Sequence, residues 1–372
     1  MTRRNERGLG TLAMCMVLLG VLALGAAWAA RQLATAQRVA ANDLRAATAS
    51  EAAESGMAWA VAMLNGGAID EACRPATTGP GVDGATSSDF RGRFLLIGAD
   101  GYYHAPGSPP AAAAAAAPAP AASATPACAN SGPLRWSCRC GTSGNADAGG
   151  PRADGEAQPQ FSIRFADAGG PGQLKLIARG CSDRRADCDD VANGPIGVAE
   201  SAQHLALLSA LRVPPPSALV EGPGSFLRVF GYPPGRYRDQ PAITRLRCGG
   251  DCDGSLAQAL ARGRRLIWID GDAHLSQWPA SALDGTPLVL VVDGRLDLTA
   301  PGHPQGVLYA RDGVDWHPPA GMPTSLRGAV VSDARVDKAG SVELIHDAAV
   351  LYRIHRQMGS FVPVPGGWTP TR

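Results

Sequence analysis

The 372 residues carry 34 Lys and Arg against 33 Asp and Glu, a formal net charge of +1 that excludes the broad basic face needed to hold a nucleic-acid backbone. Only 18% of residues are charged and 5% aromatic, while 46 Gly and 30 Pro favour turns and short strands over a helical globule. A chain of this length suits a membrane helix followed by one or two folded modules better than a single compact core.

Arg3, Arg4 and Arg7 precede an apolar run from Leu9 to Ala30 that contains no charge. Such a run can cross a hydrocarbon core of about 30 Å as a helix. The arginines before it, with no second long apolar segment after it, place the N-terminus in the cytoplasm and the bulk outside. Ala27-Trp28-Ala29 also fits the small-x-small site of a cleaved secretory signal, so that reading stays open. Against it, Ala26 to Ser55 contain no Gly or Pro, and residues 31–64 are rich in helix formers, with Leu33, Ala36, Ala40, Leu44 and Ala47 at helical spacing. The expectation is one helix from Leu9 to about Leu64, roughly 80 Å long at ~1.5 Å per residue, half in lipid and half outside. Gly20, Gly25, Ala26 and Ala27 would let neighbouring helices approach closely in the membrane. A plain single-pass stalk is the competing reading.

Three stretches carry a family pattern: Glu6-Arg7-Gly8-Leu9-Gly10-Thr11-Leu12; Ala36-Gln37-Arg38-Val39-Ala40-Ala41-Asn42-Asp43-Leu44-Arg45-Ala46; and Glu51-Ala52-Ala53-Glu54-Ser55-Gly56-Met57-Ala58-Trp59-Ala60. Together they resemble the PilX-type minor pilins of the type IV pilus, with Gln37, Arg38, Asn42, Arg45, Glu51, Glu54 and Gly56 as the helix motif. The resemblance implies a leader (1–8) cut by a prepilin peptidase between Gly8 and Leu9, or alternatively between Gly10 and Thr11. It implies a helix with a transmembrane half (9–30) and an exposed half (31–66). It further implies a structural subunit, not an enzyme, that initiates or supports pilus assembly and through it adhesion and twitching motility. Its partners would be other minor pilins and the major pilin through the helix, and a large pilus-tip adhesin. Its place would be the inner membrane, single-pass, with the C-terminal region periplasmic or displayed at the pilus tip or cell surface. Major pilins carry a glutamate at the fifth mature position, but Ala13 or Cys15 stands there, which puts ordinary subunit stacking in doubt. A type II secretion pseudopilin is the sibling alternative.

Beyond Asn65-Gly66-Gly67 the fold class becomes α+β, with a β-rich, disulfide-containing region over 67–262. Strands are expected at Arg93–Ile97, Ser137–Cys140, Phe161–Phe165, Leu174–Arg179 and Phe226–Phe230, and a helix over Ala199–Leu211 stopped by Pro214-Pro215-Pro216. Residues 109–126, nearly all Ala and Pro, read as an inserted loop. Eight cysteines follow the apolar run: Cys73, Cys128, Cys138, Cys140, Cys181, Cys188, Cys248 and Cys252. An even set beyond a membrane segment points to disulfides, with Cys181 to Cys188 and Cys248 to Cys252 as the short loops. The spacings suit zinc poorly.

Residues 263–372 hold an approximate repeat, at Leu266–Gly271, Leu288–Gly294 and Val307–Gly313, with weaker copies at Gly328–Asp333 and Val342–Asp347. Repeats near twenty residues suggest a β-solenoid of about five turns with Asp-Gly at the corners. Asp-Gly between apolar runs equally signals hairpins and an antiparallel meander.

The common hydrolase, nucleotide and zinc motifs are absent from the sequence, so no catalytic, cofactor or metal residues are expected. The seven histidines are scattered singly. Asp187, Asp189 and Asp190 lack the EF-hand pattern, since Val191 and Ala192 stand where an oxygen ligand and glycine are needed. The rival from another class is a β-helical enzyme acting on polysaccharide through Asp270, Asp272, Asp293, Asp297 and Asp312, although Asp-Gly geometry explains those positions equally.

Overall fold

The computed structural model describes residues 7–76, 88–107, 125–132, 135–140, 158–183 and 196–371. The Ala/Pro segment up to residue 124, the acidic positions Asp187, Asp189 and Asp190, and Cys188 lie outside them. Helix α1 (Arg7–Leu64) runs unbroken for 58 residues and ends where Asn65-Gly66-Gly67 begins. Every large apolar side chain from Leu12 to Leu44 is exposed, whereas Ala49, Ala52, Ala53, Met57, Ala60 and Leu64 are buried. One face of the second half therefore rests on protein, and the first half touches none.

Two short antiparallel pairs follow: β1 (Ala68–Ile69) with β2 (Ser88–Asp89), and β3 (Leu96–Ile97) with β4 (Tyr103–His104). Between them lies a one-turn helix, α2 (Phe90–Phe94), where the sequence suggested a strand from Arg93. Asp89 caps it by accepting from the Gly92 N–H at 2.9 Å, and Phe90, Arg91 and Phe94 are its buried face.

The surface under α1 is an antiparallel sheet of β5 (Ala127–Gly132), β6 (Arg135–Arg139), β7 (Gln160–Asp167), β8 (Gln173–Cys181), β9 (Val198–Ser209) and the C-terminal β22 (Gly359–Thr371), in the order β22-β9-β8-β7-β5-β6. The helix expected over Ala199–Leu211 is β9. It is bonded on both sides, to β8 and to β22, and this pairing outweighs the helix propensity of its Ala and Leu. The β22 edge carries Pro363, Pro365 and Pro370, with a register shift between Pro363 and Trp368, features that blunt an open edge.

Disulfides join Cys73 to Cys140, Cys128 to Cys138 and Cys248 to Cys252. Adjacent members of Cys138-Arg139-Cys140 thus go to different partners, Cys138 across the β5–β6 pair and Cys140 back to Cys73. Cys181 is also disulfide-bonded.

Two parallel sheets form the rest. The larger contains β10 (Leu219–Glu221), β11 (Thr244–Leu246), β13 (Leu266–Asp270), β15 (Leu288–Asp293), β17 (Gln305–Ala310), β19 (Thr324–Ser332) and β21 (Val342–Ile345). The smaller contains β12 (Gly250–Asp251), β14 (Ala273–Leu275), β16 (Leu296–Leu298), β18 (Val314–Trp316) and β20 (Val336–Lys338). From β11 to β20 the chain alternates between the sheets, and each strand pairs in parallel with the one two places on. Strands flanking an Asp-Gly corner do not pair with each other, so the hairpin alternative is not what forms. Thr244–Asp251, ahead of the boundary expected near 262, pair with Leu266–Leu275, and β22 leaves the C-terminal third to complete the antiparallel sheet.

Central strands of the larger sheet are buried on both faces, which explains their continuous apolar runs. In β15, Leu288, Leu290 and Val292 face the space between the two parallel sheets, while Val289 and Val291 face outward beneath helices. Those helices are α3 (Ser225–Phe230), α4 (Pro234–Arg238) and, later in the chain, α6 (Ala348–Gln357); α5 (Asp253–Ala261) instead closes the space between the sheets through Leu256 and Leu260. The strand expected at Phe226–Phe230 is α3. Its buried apolar residues, Phe226, Val229 and Phe230, fall at i, i+3 and i+4, and Gly224 and Gly231 bracket it at φ +77° and +79°.

Asp347 caps α6, accepting from the N–H groups of Ala349 at 3.0 Å and Val350 at 3.2 Å, and Arg327 pairs with it at 3.0 Å. The Val350 hydrogen bond is the main cause that holds this carboxyl below the ordinary range, helped by Arg327 and Ala349. A carboxylate with a lowered pKa stabilises the fold above its unfolded pKa, about 4, and that stability is lost as pH falls through the folded value. Asp347→Ala is expected to cost about 1–2 kcal/mol at pH 7. In thermal melts its deficit against the parent should shrink only below about pH 4; a deficit that persisted unchanged at pH 2 would show that charge is not what the cap supplies.

Candidate functional site: the anchor helix and its seat

Within α1, Gly10–Leu64 qualifies by length and composition as a membrane-crossing helix, and it is the one such helix among the described residues. Its most apolar stretch buries nothing against the rest of the protein. An exposed apolar surface of this size needs lipid or other helices to cover it. The bonds after Gly8 and Gly10 both lie in the first turns, and a side chain begun at Gly10, Gly20 or Gly25 would meet nothing within 4 Å beyond the helix's own backbone.

The motif residues divide between two faces. Gln37, Arg38 and Asn42 are exposed, and Arg45 reaches Asn42 through Nη1 at 3.2 Å. Glu51 and Glu54 point to solvent without an ion pair among the described residues, while Ala52, Ala53 and Gly56 between and after them face the sheet.

Small residues on both surfaces set the separation. A Cβ on Gly180 of β8 would lie 2.1 Å from the Ala49 carbonyl oxygen and 2.4 Å from the Ala53 nitrogen. One on Gly197 would lie 2.4 Å from the Arg45 oxygen, and one on Gly56 would strike the Phe161 ring at 2.8 Å. Glycines thus let the helix backbone sit almost directly on the strands, and Trp59 and Phe161 pack beside Gly56 with ring centroids 5.6 Å apart. The far end of α1 is held by polar contacts. Asn65 exchanges hydrogen bonds with the backbone of Phe361 at 2.8 Å each way, and the buried Arg91 donates to the carbonyls of Leu64, Gln357 and Gly359. The Arg91 cation meets the negative end of the helix dipole at the Leu64 carbonyl.

The five aspartates weighed as a polysaccharide-cleaving set are each engaged. Asp270 accepts from Arg245, Arg247 and Trp268 Nε1; Asp272 from the Arg295 N–H; Asp293 and Asp312 from Arg311; and Asp297 bonds His274. Burial pushes the Asp270 pKa up, but the bonds from Arg247, Arg245 and Trp268 outweigh it and the net shift is down. Among the described residues no group of three or more His, Cys, Asp and Glu is arranged to hold a metal ion.

Sequence inspection missed a row on the bare face of the smaller parallel sheet. Asp251, His274, Asp297, Asp315 and Asp337 are cross-strand partners in register, one per strand and about 4.8 Å apart. The signal was the polar centre of Ala273-His274-Leu275, Leu296-Asp297-Leu298, Val314-Asp315-Trp316 and Val336-Asp337-Lys338, legible only once the strands are aligned. His274 against Asp297 at 3.0 Å and Arg295 against Asp315 relieve the repulsion along the row.

Comparison with protein-family models, with curated proteins and with solved structures finds no match to this chain.

Proposed function

We propose that this chain is a membrane-anchored, PilX-type minor-pilin subunit that supports assembly of a type IV pilus. The observation that carries the reading is α1 itself, one uninterrupted helix whose apolar half is bare and whose other half is seated on an antiparallel sheet. A cleaved signal has no use for that continuation, and a stalk has no use for glycines that bring strand and helix backbones together. In this reading the bare half packs in the inner membrane, and then in a filament, against the helices of other minor pilins and the major pilin. Glu51, Glu54, Arg38 and Gln37 stay outward for those neighbours. The alternating parallel strands support reading 244–345 as a short β-solenoid carried on the pilin-like unit, a periplasmic or displayed module toward a tip adhesin.

The test is the N-terminal residue of the protein recovered from cells with and without prepilin peptidase, determined by mass spectrometry of the N-terminal peptide. A peptidase-dependent start at Leu9 or Thr11 is expected. A start near Ala30 in both strains would indicate a secreted protein, and an uncut Met1 a simple anchored one; either result removes the pilin reading.

A further inference from the structure

Where α1 ends, a cleft of about 160 Å³ opens between the antiparallel sheet and the parallel layers. Arg91, Arg264, Arg265 and Arg353 line it, with Asp89 as its one acidic side chain. Elsewhere arginines on the parallel sheets are matched by carboxylates, as in Arg311 with Asp293 and Arg295 with Asp315. Here only Arg265 has such a partner, Asp284 at 2.6 Å. Arg91 is bound to three backbone carbonyls and the Asn65 side chain, Arg264 to the Asn65 carbonyl at 2.9 Å, and Arg353 to the Gly285 carbonyl at 3.5 Å. Carbonyls satisfy donors without cancelling charge, and the α1 dipole offsets about half a unit at most. Asp89 caps α2 but keeps its charge, which partly offsets the desolvation of Arg91.

The cleft thus concentrates three guanidiniums that lack carboxylate partners among the described residues, against one aspartate. Desolvation lowers the pKa of both Arg91 and Arg264, and Arg262 lowers that of Arg264 further, so the cations stand there at a cost that a bound anion would relieve. Tyr103, Thr286 and Gln357 add polar side chains to the lining. Guanidinium groups are matched to oxyanions by their paired N–H donors, and the volume suits a small ion, not a polymer.

We propose that this cleft is a binding site for a small multivalent oxyanion, phosphate or a dicarboxylate, which engages Arg264 and Arg353 of the parallel layers where they face Arg91 of the helix-bearing unit. The site is independent of the pilus reading and stands or falls without it.

Full-length protein in detergent would be titrated with inorganic phosphate and with succinate at constant ionic strength set by sodium chloride, followed by calorimetry and thermal melting. At least one of the two should give a saturable binding isotherm and raise the melting temperature. Arg353→Gln, on the exposed side of α6, and Arg264→Gln should each weaken that binding about tenfold or more, whereas Arg295→Gln, beside the smaller parallel sheet and away from the cleft, should leave it unchanged. Arg353→Gln is the deciding variant, since it removes one long backbone contact and should melt with the parent when no anion is added. No saturable response to either anion, or an equal response in the parent and Arg353→Gln, overturns the proposal.

Discussion

Replacing Gly180 with valine should lift α1 off the sheet. Even the first atom of a side chain there would stand 2.1 Å from the Ala49 carbonyl oxygen and 2.4 Å from the Ala53 nitrogen, and both obstacles are backbone, which cannot rotate away. Overpacking a core costs about 1–3 kcal/mol when side chains can yield, so about 3 kcal/mol or more is expected here. Helix residues 45–64 bury Ala49, Ala52, Ala53, Met57, Ala60 and Leu64 beneath them, and separation would expose that set together. Amide exchange over 45–64 should accelerate by orders of magnitude, and the melting temperature should fall. Gly254→Ala, on α5 with nothing within 4 Å, is the matched control and should be neutral or slightly stabilising. If Gly180→Val kept its protection over 45–64, the close seat would not be what holds the helix.

The second large effect is expected at Trp268. Its ring is 1% exposed beneath the outer helices and packs edge-on to Phe226 at 6.2 Å, while its Nε1 donates to Asp270 at 3.0 Å. Phe226 in turn stacks on Phe230 at 4.6 Å and meets Tyr237 and Tyr309, so one aromatic cluster joins α3 and α4 to the parallel sheet. Trp268→Ala leaves a cavity that neighbours held by paired strands cannot fill, and about 3–5 kcal/mol of stability should be lost. Trp268→Phe, which keeps most of the volume and loses the Asp270 bond, should cost much less. Denaturant melts of the two variants separate packing from hydrogen bonding; equal losses would mean that the Asp270 bond, not the ring, carries the effect.

Much of this architecture is legible in short windows of sequence. The charge-free run from Leu9 to Ala30, and the absence of Gly and Pro from Ala26 to Ser55, dictate a continuous helix because propensity and spacing act within a turn or two. The runs at Leu266–Asp270 and Leu288–Asp293 read as strands because both of their faces are buried. Gly271 and Gly313, at φ +84° and +115°, supply backbone conformations that corners after Asp270 and Asp312 require. Phe226, Val229 and Phe230 carried a helical spacing that the apolar pairs on either side of Arg228 disguised as a strand.

Other features depend on what the folded chain brings together. Val198–Ser209 becomes a strand because β8 and β22 offer hydrogen bonds to both of its edges, and β22 lies more than a hundred residues away in sequence. The same long reach pairs Cys140 with Cys73 rather than with a neighbour, and places Arg91, Arg264 and Arg353 around one cleft. Register likewise turns five separate polar residues, from Asp251 to Asp337, into a single row. The sequence by itself determined the apolar helix, the β-rich remainder, the presence of disulfides and the repeat, since each rests on composition or near-neighbour spacing. Tertiary structure alone decided the strand identity of 198–209, the Cys73–Cys140 and Cys128–Cys138 pairings, the choice of parallel pairing over hairpins and the glycine seat under the helix. Those follow from surfaces meeting across long loops, where the free energy depends on which distant groups are buried or bonded together.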